Sequence, residues 1–551
     1  MKNTYRVLIV VSFFAITLVG MAHAVPPRDW NFLKNKPANF KPCRMLSPEQ
    51  ISKLQAKGVL RKTGRKGVIS AQTKKIIVVR VRFPDGPAIT TSKTDTEAFF
   101  AKCQKYYAEN SYGLLTVTAT VTGSAYTLPS SIGNYNNESD TALALLRTDT
   151  VALSSGDVNF GNYDYMMIYH AGYGEEDSGL SSDLWSLFYG GNFTAGGKVY
   201  DGFTVVPELA RSGSSPLGVI CHEFGHQLGL PDLYDTSVTG GRSTCGAWSL
   251  MDYPYAYDNT GRNPPHLDPW CKNYLQFIDL SSRIADHSIS SAFCGDIETC
   301  QTTGFYKIPA DASGSSQEYF IVEYRDSLAS KMKYDLSIPG SGMLIWHIDD
   351  SIALSNTRLS LNTVNTGSPH LGVDLVEADG TATFPPGQAG DAFAQGNIFT
   401  SPMSNTFSGQ PSNIALSDIA FSGDRSDFKL RLIAAATSVR IDKLINYPNP
   451  AGSGYPHPRQ GSGILTTFVM HVTRPPQNMS MGIYDLAGER VNMVVKDKIN
   501  LRLDPSSDNK WVYEFDWDGK NDSGEDVAPG VYFCKFIADG EVKLGKLVIV
   551  R

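Results

Sequence analysis

The sequence has few charged residues and no long block of one sign. Charged side chains make up 19% of its 551 residues, and the net charge is only -6. Proteins that bind nucleic acid usually carry a concentrated basic face. Only the short stretch at 61–66 is rich in basic residues. We therefore predict no nucleic-acid partner.

After its first 20 residues the sequence also lacks an apolar run long enough to span a bilayer. At the N-terminus, Lys2 and Arg6 precede an apolar run at 7–20, and Ala22-His23-Ala24 is a small-x-small cleavage pattern. The run is shorter than the roughly 20 residues that a membrane-spanning helix needs. A signal peptide over 1–24 is therefore favoured over a membrane anchor. We predict a secreted, extracellular protein, free or at the cell surface, with no membrane span.

Cysteine is scarce, with eight residues. An even number in an exported chain allows disulfides without fixing their pairing. Cys294 and Cys300 form the most favoured bridge, because so short a loop closes easily. Cys221 is equally compatible with a bridge and with a buried free thiol.

The length predicts several domains, at one per roughly 100–200 residues. Residues 25–73 are rich in Lys, Arg and Pro, with one short helix predicted near 48–57, and are interpreted as a pro-segment or a poorly ordered arm. Residues 74–285 show an α/β pattern of alternating strands and helices. Short strands between Ser, Gly and Asn loops indicate a β-rich domain at 286–435, and strands at sandwich spacing predict a separate β-sandwich at 436–551.

The main chemical signal is the motif His222-Glu223-Phe224-Gly225-His226 within an apolar segment that predicts a helix over 216–228. Residues four apart lie on one face of a helix, so His222 and His226 can bind one cation. Glu223 is then placed near a metal-bound water as the catalytic base. Zinc suits this chemistry, because it lowers the pKa of its bound water to about 7 and polarises a carbonyl.

Asp232 is the predicted third ligand. Gly229 can adopt positive φ and Pro231 cannot continue a helix, so the chain turns after His226. The turn can return Asp232 to the metal and leave a fourth position open for water. The alternative role of Asp232 is a helix-stop or structural carboxylate.

Two residues downstream extend the predicted site. The segment ending at Met251 fits the turn that places a methionine beneath the metal in metzincin proteases. Tyr253 is a candidate catalytic residue that donates to the oxyanion, or an extra ligand. An aromatic packing role for Tyr253 is about equally favoured.

The segment from His222 to Asp235 resembles the M6 peptidase family, the immune-inhibitor-A-like metalloproteases. Further matching motifs are Phe83-Pro84-Asp85, Ser111-Tyr112-Gly113, His170-Ala171-Gly172, Trp185-Ser186, Pro207-Glu208 and Pro265-His266-Leu267-Asp268-Pro269-Trp270. The resemblance covers about 74–280 and, more weakly, 318–430. It implies a zinc endopeptidase with a metzincin-like α/β catalytic domain, made with a pro-segment and acting on extracellular proteins or peptides.

The sequence departs from the wider metzincin pattern in two places. Most metzincins have a third histidine where this chain has Asp232, although the M6 family shows Asp. Cys43 is a candidate for a thiolate that blocks zinc, but its surroundings lack the cysteine-switch pattern, so a disulfide or a free thiol is favoured.

Calcium is a second candidate cofactor from the resemblance, at the acidic loops 174–177 or 377–380. Neither has the spacing of a calcium loop, and a solvated turn is favoured.

The region 436–551 resembles the FlgD-like immunoglobulin modules of exported bacterial proteins and C-terminal secretion sorting domains. The motifs that carry this resemblance are Tyr447-Pro448-Asn449-Pro450, Ile483-Tyr484-Asp485-Leu486-Ala487-Gly488, Trp517-Asp518-Gly519 and Gly530-Val531-Tyr532-Phe533. It implies contact with a cell surface, a polymer or a secretion system.

A secreted zinc endopeptidase is the leading functional prediction. The alternative is a catalytically inactive surface adhesin or scaffold with a structural zinc site, but such a site needs no base and Glu223 is present. A zinc hydrolase of non-peptide amides is a third hypothesis that only substrate profiling separates. Substrate preference is not encoded locally, because it depends on how loops shape the pocket.

Overall fold

The fold comes from a computed structural model. It describes residues 44–62, 71–136, 139–236, 243–280, 290–294, 304–310, 316–328, 333–366, 370–381, 387–412, 414–422, 425–432, 439–458, 463–473, 476, 478–494, 500–503 and 511–550. The predicted signal peptide, Cys43 and the predicted partner Cys300 lie outside these residues. None of the described helices is both long and apolar enough to cross a membrane.

A five-stranded sheet forms the centre of the first domain, with strand order β2-β1-β3-β5-β4. Its strands are β1 (Gln72–Arg82), β2 (Leu115–Thr127), β3 (Tyr165–Tyr173), β4 (Leu187–Ala195) and β5 (Lys198–Leu209). Strands β2, β1, β3 and β5 are parallel, and β4 is an antiparallel edge strand. The apolar run from Ile76 to Val79 is buried at the middle of β1, as expected for a parallel strand covered on both faces. The predicted α/β architecture of this domain is therefore present.

The described residues of this domain form the helices α1 (Pro48–Ala56), α2 (Lys93–Asn110), α3 (Asp140–Ser154), α4 (Glu175–Ser178), α5 (Leu217–Leu228) and α6 (Pro269–Tyr274). Short 3-10 helices lie at Ile132–Asn134, Phe160–Asn162 and Gly246–Trp248. Helices α2 and α5 pack together through Tyr107, whose hydroxyl donates to the Cys221 carbonyl at 2.6 Å. The ring of Phe224 meets that of Tyr107 edge-on, with centroids 5.1 Å apart. Helix α5 is thus fixed between α2 and the sheet.

Residues 44–62 are folded against the first domain. The amide of Arg44 donates to the Phe188 carbonyl at 3.1 Å, so this segment extends the sheet beyond β4. The side chain of Leu60 is buried against Gly229, at the end of α5. Arg61 pairs with Asp350 at 3.0 Å. The predicted short helix is present as α1, but the expectation of a poorly ordered arm is wrong for these residues, because their apolar side chains belong to the core. Removal of the segment as a pro-segment stays a prediction.

The next region contains two antiparallel sheets, of order β10-β9-β8-β7 and β11-β12-β6. Its elements are β6 (Ser290–Cys294), β7 (Phe305–Pro309), β8 (Glu318–Arg325), β9 (Gly342–Asp349), α7 (Asp350–Ala353), α8 (Asn356–Ser360), β10 (Val373–Leu375), a 3-10 helix (Ala389–Asp391), β11 (Ile414–Ser422) and β12 (Arg425–Leu432). Tyr319, Ile321 and Trp346 on one face of the first sheet join the core of the preceding domain. Phe320 and Ile345, on the other face, join a separate core. The predicted boundary near 285 therefore does not separate two independent cores.

The C-terminal region has two sheets around one apolar core, of order β13-β15-β19-β18 and β14-β21-β20-β16-β17. Its strands are β13 (Ile441–Tyr447), β14 (Ala451–Gly452), β15 (Thr466–Val472), β16 (Met479–Tyr484), β17 (Arg490–Val494), β18 (Asn500–Leu503), β19 (Trp511–Trp517), β20 (Gly530–Ala538) and β21 (Glu541–Val550). Phe468 and Phe515 from one sheet share this core with Ile483 and Phe536 from the other. The immunoglobulin-type assignment of this region stays a prediction.

Candidate metal centre

Helix α5 carries the metal motif in the interior of the protein. All twelve of its residues are buried, and it ends at Gly229, whose φ of 111° is in the left-handed region that favours glycine. Gly225 permits close packing beneath the motif, because an added Cβ would lie 2.8 Å from the Met251 sulfur. The methionine predicted beneath the metal thus packs directly against α5.

The two histidines of the motif face each other one helical turn apart. Their Nε2 atoms are 3.1 Å apart. Nδ1 of His222 lies 2.9 Å from the Leu250 carbonyl, and Nδ1 of His226 lies 2.8 Å from the Leu230 carbonyl. A carbonyl only accepts, so each Nδ1 carries the hydrogen and each Nε2 presents a lone pair. This is the arrangement in which histidines ligate a metal through Nε2.

Asp232 completes a three-donor cluster. Its Oδ1 lies 2.9 Å from Nε2 of His222 and 3.2 Å from Nε2 of His226. This oxygen is buried and receives no hydrogen bond. Three lone-pair donors that face each other in a buried space repel one another unless a cation lies between them. The three residues are the one group of His, Cys, Asp or Glu with metal-ligand spacing in the described part of the chain.

The donor set fits a tetrahedral metal such as zinc. Zinc takes nitrogen and oxygen ligands at about 2.0–2.2 Å, which places neighbouring donors of a tetrahedron about 3.3 Å apart. The three donor distances given above, all between 2.9 and 3.2 Å, are close to that value. Three protein ligands also leave one coordination position open, as in catalytic rather than closed structural sites.

The electrostatics of the cluster favour a positive charge at its centre. Burial lowers the pKa of His226, but the negative charge of Asp232 outweighs burial and raises that pKa to about 9. Burial raises the pKa of Asp232, and the two histidines reverse this and hold it well below its usual range. The cluster therefore favours a positive charge at its centre, and a metal ion that binds there has to displace any proton.

Glu223 and Tyr253 have different surroundings. Glu223 is fully buried on α5, and its charge contributes to the raised pKa of His226, so the two side chains interact electrostatically. Tyr253 lies in a small apolar cluster and stacks edge-on with Tyr255 at 5.3 Å, while its hydroxyl donates to Asn259 at 3.3 Å. These contacts are those expected of the packing role for Tyr253. The catalytic roles of both residues stay predictions.

The structure adds a residue that the sequence motif does not indicate. Asn362 lies between α8 and β10 and forms two hydrogen bonds with Asp232. A separation of 130 residues hides this contact from any local pattern. No signal in the sequence marks Asn362 as part of the site.

The acidic loops considered for calcium form no metal-ligand group among the residues that the structure describes. In the first loop, the Glu176 carboxylate turns back and accepts from the Ser186 amide at 3.0 Å and from its hydroxyl at 2.7 Å. The second loop, at 377–380, ends in a turn at Gly380 with φ of 70°. Calcium as a cofactor stays a prediction.

We expect the Glu176→Gln variant to be more stable than the wild type at high pH. Burial raises the pKa of Glu176 to about 7, against 4.5 for a free side chain. The protonated carboxyl group of Glu176 therefore contributes fully to folding stability below pH 4.5, and this contribution is lost as the pH rises through 7. The stability gap between variant and wild type should be small at pH 5 and on the order of 3 kcal/mol at pH 8. Thermal unfolding at both pH values measures the gap, and the exposed Glu97→Gln serves as control. If the stability difference between Glu176→Gln and the wild type does not widen from pH 5 to pH 8, the pKa of Glu176 is not raised.

Several known proteins are similar to this chain in the region around the cluster. Residues 153–279 match the family model "Immune inhibitor A peptidase M6, catalytic domain". The pre-pro-metalloprotease PrtV of Vibrio cholerae serotype O1 is 33% identical over 139 residues, which cover 22% of this chain and 15% of PrtV. Immune inhibitor A of Bacillus thuringiensis subsp. alesti is 28% identical over 250 residues, covering 36% of this chain and 34% of that protein. Among solved structures, metalloproteinase-II from Bacteroides fragilis has 15% identity and a TM-score of 0.24, covering 45% of this chain and 59% of that chain.

The His222, His226 and Asp232 cluster lies within residues 153–279, so the candidate metal centre belongs to the part of the chain that is similar to a metallopeptidase catalytic domain. These matches agree with the resemblance to peptidase family M6 seen in the sequence. The aligned parts span only 15% of PrtV and 34% of Immune inhibitor A. The resemblance of residues 436–551 to FlgD-like modules stays a prediction.

Proposed function

We propose that this protein is a secreted zinc-dependent endopeptidase that hydrolyses peptide bonds of extracellular proteins, with a metzincin-like catalytic domain. The observation that carries the proposal is the convergence of three potential ligand atoms, Nε2 of His222, Nε2 of His226 and Oδ1 of Asp232. Glu223 lies on the same buried helix as the two histidines. When bound there, zinc supplies Lewis acidity and a lowered water pKa.

The residues around the cluster have separate roles in this proposal. The Leu250 and Leu230 carbonyls hold the two imidazoles in the tautomer that exposes Nε2. Glu223 takes the proton of the attacking water and delivers it to the leaving amine. Burial of the site keeps bulk water from competing for these contacts.

The alternative function is a catalytically inactive surface adhesin or scaffold with a structural zinc site. Structural zinc sites are usually closed by four protein ligands, whereas the described cluster offers three. A structural site also has no use for a buried carboxylate beside the first histidine. Both points favour the enzyme.

Secretion and processing are part of the proposal. The signal-peptide pattern at 1–24 supports export, and the name "pre-pro-metalloprotease" given to PrtV describes a relative made with leader segments. Residues 436–551 are proposed to contact a cell surface or secretion system. Calcium is kept as a second candidate cofactor without an assigned site.

Cleavage of casein and of a broad peptide library by the purified secreted protein tests the proposal. We expect new termini at internal peptide bonds, identified by mass spectrometry, and no such products after treatment with a zinc chelator. A secreted, zinc-loaded protein that leaves the whole library intact would support the adhesin or scaffold instead.

A further inference from the structure

Asn362 makes a reciprocal contact with the third ligand. Its Oδ1 accepts a hydrogen bond from the Asp232 backbone amide at 2.8 Å, and its Nδ2 donates to Oδ2 of Asp232. Both side chains are almost fully buried, at 1% and 0% exposure. The orientation of the amide is unambiguous, because the reversed amide would place oxygen against the carboxylate and NH₂ against an N–H.

This contact distinguishes the two oxygens of the Asp232 carboxylate. Oδ2 is held by the Asn362 amide, while Oδ1 receives no hydrogen bond and faces both histidine Nε2 atoms. A carboxylate without such a partner can rotate and present either oxygen. Hydrogen bonds from outer residues that fix a ligand's orientation are a common source of metal affinity.

The segment that carries Asn362 is itself anchored. Asn365 donates to the Leu233 carbonyl at 2.7 Å, next to Asp232, and to the Val373 carbonyl at 2.6 Å, at the start of β10. The Thr236 hydroxyl donates to the Asn362 carbonyl at 2.8 Å. These hydrogen bonds therefore fix the segment before β10 to the loop that follows α5.

We propose that Asn362 is a positioning residue for the Asp232 ligand, so that the region after residue 285 completes the metal site of the catalytic domain. This inference rests on the proposed metal site at His222, His226 and Asp232. It predicts that the metal affinity of the protein depends on a side chain that does not touch the metal.

The backbone at Asn362 allows a clean test. Its φ of 55° is in the left-handed region, which Gly and Asp also adopt. Asn362→Gly removes the amide and keeps the backbone conformation. Asn362→Asp keeps the size and the acceptor for the Asp232 amide, but replaces the donor to Oδ2 with an oxygen. Asn110→Ala is the matched control, because Asn110 is fully buried and its side chain also makes two hydrogen bonds, with Tyr106 and Leu267.

The measurement is the zinc dissociation constant of the full-length protein, obtained by competition with a chelator in a Glu223→Gln background that prevents self-digestion. We expect both Asn362 variants to bind zinc about 10- to 100-fold more weakly. Asn110→Ala should lower the unfolding temperature of the metal-free protein while its zinc affinity stays within about twofold of the wild type. Asp232→Ala, which removes the ligand itself, shows how weak zinc binding becomes when the third ligand is absent.

Three outcomes separate the inference from the function on which it rests. If Asn362→Gly lowers the unfolding temperature of the metal-free protein but leaves the zinc dissociation constant unchanged, Asn362 is only structural and the inference is wrong. If Asn110→Ala weakens zinc binding as much as the Asn362 variants do, the effect is a general loss of packing, and the inference is again wrong. If Asp232→Ala binds zinc as tightly as the parent protein, the proposed metal site itself fails.

Discussion

The Glu223→Ala variant should bind zinc as tightly as the wild type and hydrolyse casein about 10³-fold more slowly. General acid–base catalysis by a positioned side chain contributes about 10²- to 10⁴-fold. Glu223 is buried directly beside His222 and is not one of the three clustered donors. Its removal should therefore affect the chemical step and spare the metal.

The comparison needs kcat/KM on a fluorogenic peptide built around a mapped casein cleavage site, with the zinc content measured on the same samples. Glu97→Ala is a suitable control, because that carboxylate lies on the surface of α2, is 39% exposed and pairs with Lys93. Its kcat/KM should match the wild type. Retention of more than a tenth of the activity by Glu223→Ala would exclude Glu223 as the base.

The Asp232→Ala variant should lose both tight metal binding and activity. Loss of an outer partner of a ligand costs roughly 10- to 100-fold in metal affinity, and loss of the ligand itself should cost more. The two histidines then remain as the only donors of the cluster, and the carboxylate charge that favours a cation is gone. We expect the zinc dissociation constant to rise at least about 100-fold.

Chelator competition measures this constant, and the exposed Asp157→Ala variant controls for a general effect of removing a carboxylate. Added zinc in excess should restore part of the activity of Asp232→Ala if the defect is one of binding. Unchanged zinc affinity in Asp232→Ala would mean that the helix-stop role, the alternative seen in the sequence, is the correct one.

The local part of the site could be predicted because it depends on helix geometry. A four-residue spacing places His222 and His226 on one face of any α-helix, and the structure places the two residues on α5 with Nε2 atoms 3.1 Å apart. The predicted turn after His226 follows from the conformational freedom of Gly229 and the rigidity of Pro231. That turn brings Asp232 to the two histidines.

The long-range part could not be predicted, because contacts between distant segments leave no periodic signal. Residues 44–62 have too few apolar side chains to indicate a buried segment, yet Leu46 and Leu60 are buried at the end of α5. The sheet of β7 to β10 has both faces buried, and only the three-dimensional arrangement shows that one face belongs to the first core. The contact between Asn362 and Asp232 could not be predicted for the same reason, because 130 positions separate the two residues in the sequence.

Zinc titration of metal-stripped protein tests the central claim most directly. The secreted protein is stripped with a chelator, dialysed and titrated with zinc while the rate of peptide cleavage is followed. We predict no cleavage without metal, a rise in proportion to added zinc, and a plateau at one zinc per chain that Asp232→Ala does not reach over the same range. Full cleavage by the stripped protein, or zinc binding at one per chain without any cleavage, would contradict the claim that this cluster is the active centre of a metallopeptidase.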